Sequence, residues 1–377
     1  MLKSLPKIFS LVVEPAEYTL DLVRKIYHPL GVEYAFIRGD TPAGGESLSK
    51  DTVIISRLSF FSKVKYILRM LADHDIIIVN GYIGREQLLF ILLNIVLYKK
   101  PLAIESDTEL QIPASLCRRI LKHMWLGFLF SREYCYGFPA GRYKHREVFT
   151  HYGMKDERVF VMPMVIDECR FCLNKSGKMR DGIFRFGVIG RLIRIKQVDK
   201  IITAFKELIK SGLTMCELHI IGDGPERSKL ETLSQHYDNV IFHGFVYGDD
   251  KIELLSRMDA VILYSTHDQW GFVINEALAV GCPVIVSDRV GCRHELVDEV
   301  KVPLGESGDN NCALGPTGCV CDYLDIASLS TTMLRMVKDV TWRSELAANA
   351  SARSNYWGFA LYEEQFLKFI DIIEGME

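Results

Sequence analysis

The sequence predicts an α/β protein of two domains, each built on a doubly wound parallel sheet. Short apolar runs alternate with stretches of helical spacing from Lys7 onward, and the alternation begins afresh at Phe184 after a polar interval. The chain is long enough for two cores: 377 residues, 49% hydrophobic and 25% charged. That composition excludes a disordered chain.

The first domain opens as β-α-β. Lys7 to Val13 is an apolar run closed by Glu14-Pro15, Tyr18 to Tyr27 has helical spacing, and Glu33 to Ile37 is a short strand. Ile54 to Leu71 sets Leu58, Phe61, Val64, Ile67, Leu68 and Leu71 on one helical face, with Arg57, Lys63, Lys65 and Arg69 elsewhere. Asp75 to Asn80 reads as a strand, Gln87 to Tyr98 as a helix and Leu102 to Glu105 as the next strand. Ser115 to Phe130 is a basic and aromatic helix. Phe138 to Tyr152 is partly helical, and Arg158 to Ile166 is a strand interrupted by Pro163. Residues 167–182, with the polar centre Asn174 to Lys178, show no period and make the linker. The expected domains are 1–167 and 183–356.

The second domain repeats the pattern. Strand Phe184 to Ile189 leads into the turn Gly190-Arg191-Leu192 and helix Val198 to Leu208. Strand Cys216 to Ile221 leads into Gly222-Asp223-Gly224-Pro225 and helix Glu226 to Ser234. Strand Val240 to His243 ends at Gly244-Phe245, followed by helix Lys251 to Arg257 and strand Ala260 to Tyr264. Then comes the stretch that the domain serves, Tyr264 to Leu296. Its loop carries Asp268 and Trp270-Gly271-Phe272, its helix starts near Phe272 and carries Glu276, and Gly281-Cys282-Pro283 ends that helix before strand Val284 to Val286. Residues 301–320 read as a surface loop, and Ile326 to Val337 and Trp357 to Glu374 as helices.

Two acids, Asp268 and Glu276, thus flank a helix start. A helix N-terminus attracts a phosphate, and carboxylates on either side accept hydrogen bonds from sugar hydroxyls, so the arrangement suits a sugar phosphate. Glycine at 271 lets the backbone approach a ligand.

Charge and cysteine content bound the setting. The net charge of −3 divides into +4 for residues 1–170 and −7 for the remainder. The ten cysteines form no regular framework, and Met1 to Leu20 carries Glu14 and Glu17 without a long apolar core, so a cytoplasmic protein is expected. No segment supplies the ~20 apolar residues of a spanning helix. The basic aromatic helices at 57–71 and 115–130 leave two readings open: core-facing helices with solvated lysines, or a face lying peripherally on an anionic membrane at its inner side. Nothing points to nucleic acid. Cys169, Cys172, Cys312, Cys319 and Cys321 fit no ordered zinc module, so no metal site is expected.

These motifs together, in this order and spacing, resemble the retaining glycosyltransferases of family four, over Phe184 to Val300 and more weakly on either side. The resemblance rests on Gly190-Arg191-Leu192 with Lys196, Gly222-Asp223-Gly224-Pro225, His243-Gly244-Phe245, and the acid-x7-acid element Asp268 to Glu276 followed by Ala277, Gly281, Pro283 and Val284. It implies the GT-B fold of two facing Rossmann-like domains, with residues 357–377 crossing back to complete the first. It also implies sugar transfer, without a metal or other cofactor, from a UDP- or GDP-sugar to a glycan or lipid-linked acceptor, as in bacterial surface polysaccharide synthesis.

By the same resemblance Arg191 and Lys196 stabilise the leaving diphosphate. Glu276 holds the ribose, Asp268 the donor sugar, and the Gly271-Phe272-Val273 backbone the sugar and phosphate oxygens. The base lies near Gly244-Phe245 and Gly222-Asp223-Gly224. The first acid, usually Glu, is Asp268 here, and a His that the family often carries near Leu102 to Asp107 is missing, leaving Glu105 or Asp107 to face the donor. Two other readings share the architecture: a sugar-nucleotide epimerase and a non-catalytic nucleotide-sugar-binding partner.

Overall fold

A computed structural model describes residues 6–39, 52–173, 181–297 and 312–375. They fall into two units, Met1–Ile166 with Gly358–Glu377, and Asp167–Trp357.

In the first unit, strands β1 (Ile8–Val12), β2 (Glu33–Phe36), β3 (Ile76–Asn80), β4 (Leu102–Ser106) and β5 (Cys135–Pro139) form a sheet in the order β2-β1-β3-β4-β5. Every pairing is parallel. The central strands are buried on both faces, which is why they read as unbroken apolar runs such as Ile76-Ile77-Ile78-Val79. Helix α1 (Glu17–Leu22) passes through a π turn at Val23–Tyr27 into α2 (His28–Leu30), where Pro29 has no N–H to donate. Helices α3 (Phe60–Asp73), α4 (Arg85–Leu93, extended by a π turn at Asn94–Tyr98) and α5 (Leu116–Phe130) bury Ile67, Phe90 and Leu129 in the core on one face of the sheet. Helix α6 (Lys144–His151) adds Val148 and Phe149 to that core.

Three expectations change in this unit. β5 was hidden, because Gly137 and Pro139 break the apolar run, yet all five of its residues are buried. Arg158 to Ile166 is no strand. It runs extended beside β5, the Phe160 and Met162 N–H groups donating to Gly137 and Pro139, and Pro163 prevents continuation. Helix α3 starts at Phe60 rather than Ile54 because Ser59 caps it, accepting from the Ser62 N–H.

The second unit begins with α7 (Glu168–Leu173), a helix inside the expected linker, whose polar centre lies outside the described residues. Phe171 is buried, Arg170 pairs with Asp249 and Cys172 approaches the Ala279 carbonyl, so the segment belongs to this unit. Strands β6 (Phe184–Ile189), β7 (Cys216–Ile221), β8 (Val240–Gly244), β9 (Ala260–Leu263), β10 (Val284–Ser287), β11 (Cys312–Leu314) and β12 (Gly318–Cys321) take the order β11-β12-β10-β9-β6-β7-β8. Only β11 is antiparallel. Part of the loop expected at 301–320 is therefore the β11–β12 hairpin, with β12 paired to β10. Gly318 permits this, because a Cβ there would lie 2.0 Å from the Val284 carbonyl oxygen.

Helices α8 (Val198–Lys210), α9 (Arg227–Ser234) and α12 (Ile326–Lys338) cover one sheet face. The rest are α10 (Gly248–Ser256), α11 (Phe272–Ala279) and α13 (Val340–Tyr356). Trp357, which follows the last residue of α13, stacks on Trp270. The last helix, α14 (Phe359–Gly375), belongs to the first unit, where Tyr362, Phe366 and Phe369 pack on the sheet face opposite α3 to α5.

Candidate functional site

The parallel strands of the second sheet run outward in two directions from its middle, β6-β7-β8 one way and β9-β10-β12 the other. Between β6 and β9 the connections diverge, and in open α/β sheets ligands bind beyond the strand ends at that switch point. The loops leaving β6 and β9 are the ones that carry Arg191, Lys196 and Asp268.

Backbone contacts stitch these loops together. The Gly190 N–H donates to Ile221 O, Leu192 N–H to Asp223 O at 2.8 Å, and Gly222 N–H to Gly244 O at 2.7 Å. The approach needs glycine: a Cβ on Gly222 would sit 1.9 Å from Gly190 O, and one on Gly224 would sit 2.4 Å from Leu192 O. Three turns far apart in sequence thus form one rim.

Lys196 closes the rim toward β9. Its Nζ lies 2.5 Å from an Asp268 carboxylate oxygen, and the Thr266 N–H donates to Ile195 O. Arg191, Gly190, Lys196, Leu263 and Tyr264 line one small cavity. Gln197, next to Lys196, is in left-handed backbone (φ 47°) and buried. With its amide nitrogen toward the chain, it donates to the Tyr264 and Tyr323 carbonyls and accepts from Lys200 Nζ at 2.7 Å, which holds the turn in place.

Asp268 is tied into the loop after β10 as well, its N–H donating to Arg289 O and its carbonyl accepting from Gly291 N–H. Gly271 (φ 99°) begins α11. Its missing side chain also serves packing, since a Cβ would press on Leu263 at 2.8 Å and on Val290 at 3.0 Å. Trp270 is buried, and its Nε1–H donates to Asn275 Oδ1, locking the loop onto the helix. Phe272 and Val273 form the first turn, where the helix dipole is positive, and Glu276 follows one turn on.

Glu276 accepts from Lys251 Nζ on α10 at 2.7 Å. Sequence reading missed Lys251, whose spacing marks only a solvated helical lysine. Near the β8 end, Phe245 stacks on Tyr247 at 5.9 Å with both rings exposed. The Asp223 carboxylate takes the Gly224 N–H and pairs with Arg227, two contacts that lower its pKa. His243 hydrogen-bonds His219 (2.9 Å between ring nitrogens), and burial lowers the pKa of both.

Glu105 and Asp107 lie in the first unit at the C-terminal end of β4. Glu105 is buried and accepts from Asn80 Nδ2 at 2.9 Å. Burial pushes its pKa up to about 7, with Asp107 adding and the Asn80 bond opposing. Among the described residues no group of three His, Cys, Asp or Glu side chains is arranged to hold a metal ion.

Residues 174–353 match the family described as Glycosyl transferases group 1. The chain is 27% identical over 214 residues to N-acetyl-alpha-D-glucosaminyl L-malate synthase of Bacillus anthracis, covering 56% of this chain and 48% of that protein. It is 33% identical over 129 residues to a GDP-mannose-dependent alpha-mannosyltransferase of Mycobacterium tuberculosis, covering 33% and 32%. The chain spans about half or less of the length of such curated relatives. In structure it resembles Anabaena HepE in complex with UDP (TM-score 0.71, 16% identity, 97% of this chain and 99% of that one). It also resembles WaaG, a glycosyltransferase involved in lipopolysaccharide biosynthesis (TM-score 0.64, 16% identity, 98% and 100%). The fold is that of the GT-B glycosyltransferases, two parallel-sheet Rossmann-like domains.

Proposed function

We propose that the chain, whose residues 174–353 match the group 1 glycosyl transferases, moves a sugar, with retention of its anomeric configuration, from a nucleotide diphosphate sugar to a glycan or lipid-linked acceptor. The observation that carries the reading is the Lys196–Asp268 pair at the switch point, with Arg191 lining the cavity beside Lys196 and α11 starting four residues after Asp268.

In the reaction the bond from sugar C1 to the β-phosphate oxygen breaks and one from C1 to an acceptor oxygen forms. Negative charge grows on the diphosphate, and its departing oxygen takes the proton of the acceptor hydroxyl. Arg191 and Lys196 stabilise that charge. Asp268 orients Lys196 before the donor arrives and then accepts hydrogen bonds from the donor sugar, while Glu276, steadied by Lys251, takes the ribose hydroxyls. The Gly222-Asp223-Gly224 turn and Gly244-Phe245 border the base. No metal enters this scheme, because Arg191 together with the Lys196–Asp268 pair leaves a net positive charge against the leaving group. We place the reaction in a reducing cytoplasm, in surface polysaccharide assembly; HepE, which shares the fold, binds UDP-glucose.

The test is calorimetric titration of UDP and GDP into the protein and its Lys196→Ala variant. Next, labelled nucleotide sugars are incubated with and without a membrane extract, and the product's anomeric configuration is read by NMR. Nucleotide binding that Lys196→Ala abolishes, followed by acceptor-dependent transfer, is the expected result. Undiminished binding by the variant would sink the site assignment, and isomerised sugar without transfer would move the protein to the epimerases.

A further inference from the structure

Three thiols meet under the edge hairpin of the second sheet. Cys312 of β11 and Cys319 and Cys321 of β12 are buried in the core that α12 covers. Cys321 Sγ lies 3.2 Å from Cys312 Sγ, and Thr332 Oγ1 of α12 is 3.4 Å from Cys312 Sγ and 3.5 Å from Cys321 Sγ. A buried cysteine on its own is commonly a small apolar side chain. Here the sulfurs touch each other. They are not arranged to hold a metal ion, which leaves redox chemistry to them.

The register selects which two can join. Cys312 stands directly opposite Cys321, and Leu314 opposite Cys319. The Gly315 N–H donates to Gly318 O, so those two residues are a hydrogen-bonded pair, and the alternation along the ladder makes Cys312 and Cys321 a non-hydrogen-bonded pair. Side chains of such a pair approach closely, with Cα atoms about 4.5 Å apart, inside the range of about 4.4–6.8 Å that a disulfide spans. The Cys319 thiol also reaches Cys312, but from the diagonal position. Diagonal neighbours are about 7–8 Å apart, beyond that span.

The thiols also differ as an attacking group and its partner must. Hydrogen bonds from Cys319, Cys321 and Thr332 lower the pKa of Cys312, whereas donating to Cys312, together with burial, holds Cys319 and Cys321 well above the usual thiol range. Cys312 is 9% exposed against 0% for the other two, so a small oxidant meets it first.

We infer that Cys312 and Cys321 are a reversible oxidation site, closed to a disulfide by hydrogen peroxide. The Cys312 thiolate attacks one peroxide oxygen, the O–O bond breaks, and hydroxide leaves with a proton as water, giving a sulfenic acid. Cys321 Sγ then attacks that sulfur, the S–O bond breaks, and the departing hydroxide takes the Cys321 proton as a second water. Two thiols are oxidised and one peroxide is reduced. The bond would staple the hairpin at the strand end that supports the site loops: Cys321 O accepts from the Asp288 N–H, and Asp322 O from the Tyr264 hydroxyl.

The experiment exposes the reduced full chain to hydrogen peroxide, blocks the remaining thiols with iodoacetamide and weighs the tryptic peptide of residues 302–335, which carries all three cysteines. We expect three alkyl groups before treatment, one afterwards, placed on Cys319 by fragmentation, and three again after dithiothreitol. The bond should raise Tm by about 5 °C in the parent and in Cys319→Ala, and Cys321→Ala should show neither bond nor rise. Equal melting of the reduced proteins would show that the variants fold, and the parent peptide needs no variant. The proposal is overturned if three alkyl groups persist after peroxide, if the single group maps to Cys312 or Cys321, or if added oxygen survives dithiothreitol. It is equally overturned if Cys321→Ala closes and gains stability like the parent, or if the closed parent melts no higher than the reduced one.

Discussion

Lys251→Met, which removes the charge and keeps most of the side-chain length, tests whether Glu276 is a prepared ligand or an incidental acid. The two side chains are only 14% and 13% exposed and 2.7 Å apart. That burial places them between a surface pair, worth under about 1 kcal/mol, and a buried one, whose rupture costs about 3–5 kcal/mol. A charge-assisted hydrogen bond contributes about 1.5–3 kcal/mol. If the pair positions the Glu276 carboxylate for the ribose, the loss appears as UDP affinity reduced about 10- to 100-fold, each tenfold being about 1.4 kcal/mol. Loss confined to the fold would instead lower Tm by about 3–10 °C with affinity preserved. Calorimetric UDP titration and thermal melting of the parent, Lys251→Met, Glu276→Gln and the double variant form a cycle that separates the two. We expect the double variant to bind UDP no worse than Glu276→Gln alone. Additive losses of affinity would refute the positioning argument, because Lys251 would then act without Glu276.

Glu105 gives a pH prediction. Its folded pKa of about 7 lies above the ordinary 4.5, so between those values the folded state holds a proton that the unfolded state has lost. Stability therefore falls as pH rises through that window, by about 3 kcal/mol in all, and levels off above it. Urea melts from pH 4.5 to 8 should show the decline in the parent and a flatter profile in Glu105→Gln; identical slopes would refute it. Gly222→Ala should destabilise by about 3 kcal/mol or more, since its Cβ would strike Gly190 O at 1.9 Å, whereas Gly190→Ala meets nothing within 4 Å and should cost only about 1–2 kcal/mol of backbone strain. Denaturant midpoints of the two variants check the order. Trp270→Phe, which strips the Nε1–H bond to Asn275, should lower Tm by about 2–4 °C while UDP affinity falls less than in Lys196→Ala. Titration and melting on one preparation decide.

What was legible follows from the range of the forces involved. The strands buried on both faces declared themselves, because double burial demands continuous apolar runs, and β1, β3, β6 and β7 were placed within a residue or two. β5 escaped because its sequence, Cys135-Tyr136-Gly137-Phe138-Pro139, breaks the apolar period. Gly137 is there because a Cβ would meet the Phe149 ring at 2.6 Å, a requirement set by the following helix, α6. The β11–β12 hairpin escaped for a similar reason, Gly318 being chosen by β10. Helix α13 was not anticipated, its alanines and serines giving little contrast between buried and exposed faces. Local pattern shows what a segment must bury; it does not show against what.

The same division runs through the site. Asp268 and Glu276 could be singled out because they flank a helix start, and Arg191 and Lys196 because the motifs that hold them resemble a family that sets cations there. Their pairing was out of reach, since Lys196 meets Asp268 across 72 positions and Glu276 meets Lys251 across 25. Pairing changes what the residues do. In the proposed site an unpaired Asp268 would repel a diphosphate, whereas Asp268 bound to Lys196 would present one neutral unit, and Arg191 would add a net positive charge for the leaving phosphate. The shorter Asp in place of the usual Glu then has a structural reason. With Lys196 already in contact and its backbone fastened to Arg289 and Gly291, the loop after β9 lies close against the rim, and a longer acid would push Lys196 outward. Asp268→Glu should therefore weaken UDP binding although charge and hydrogen-bonding capacity are conserved, and full affinity in that variant would show that reach, not fit, governs the position.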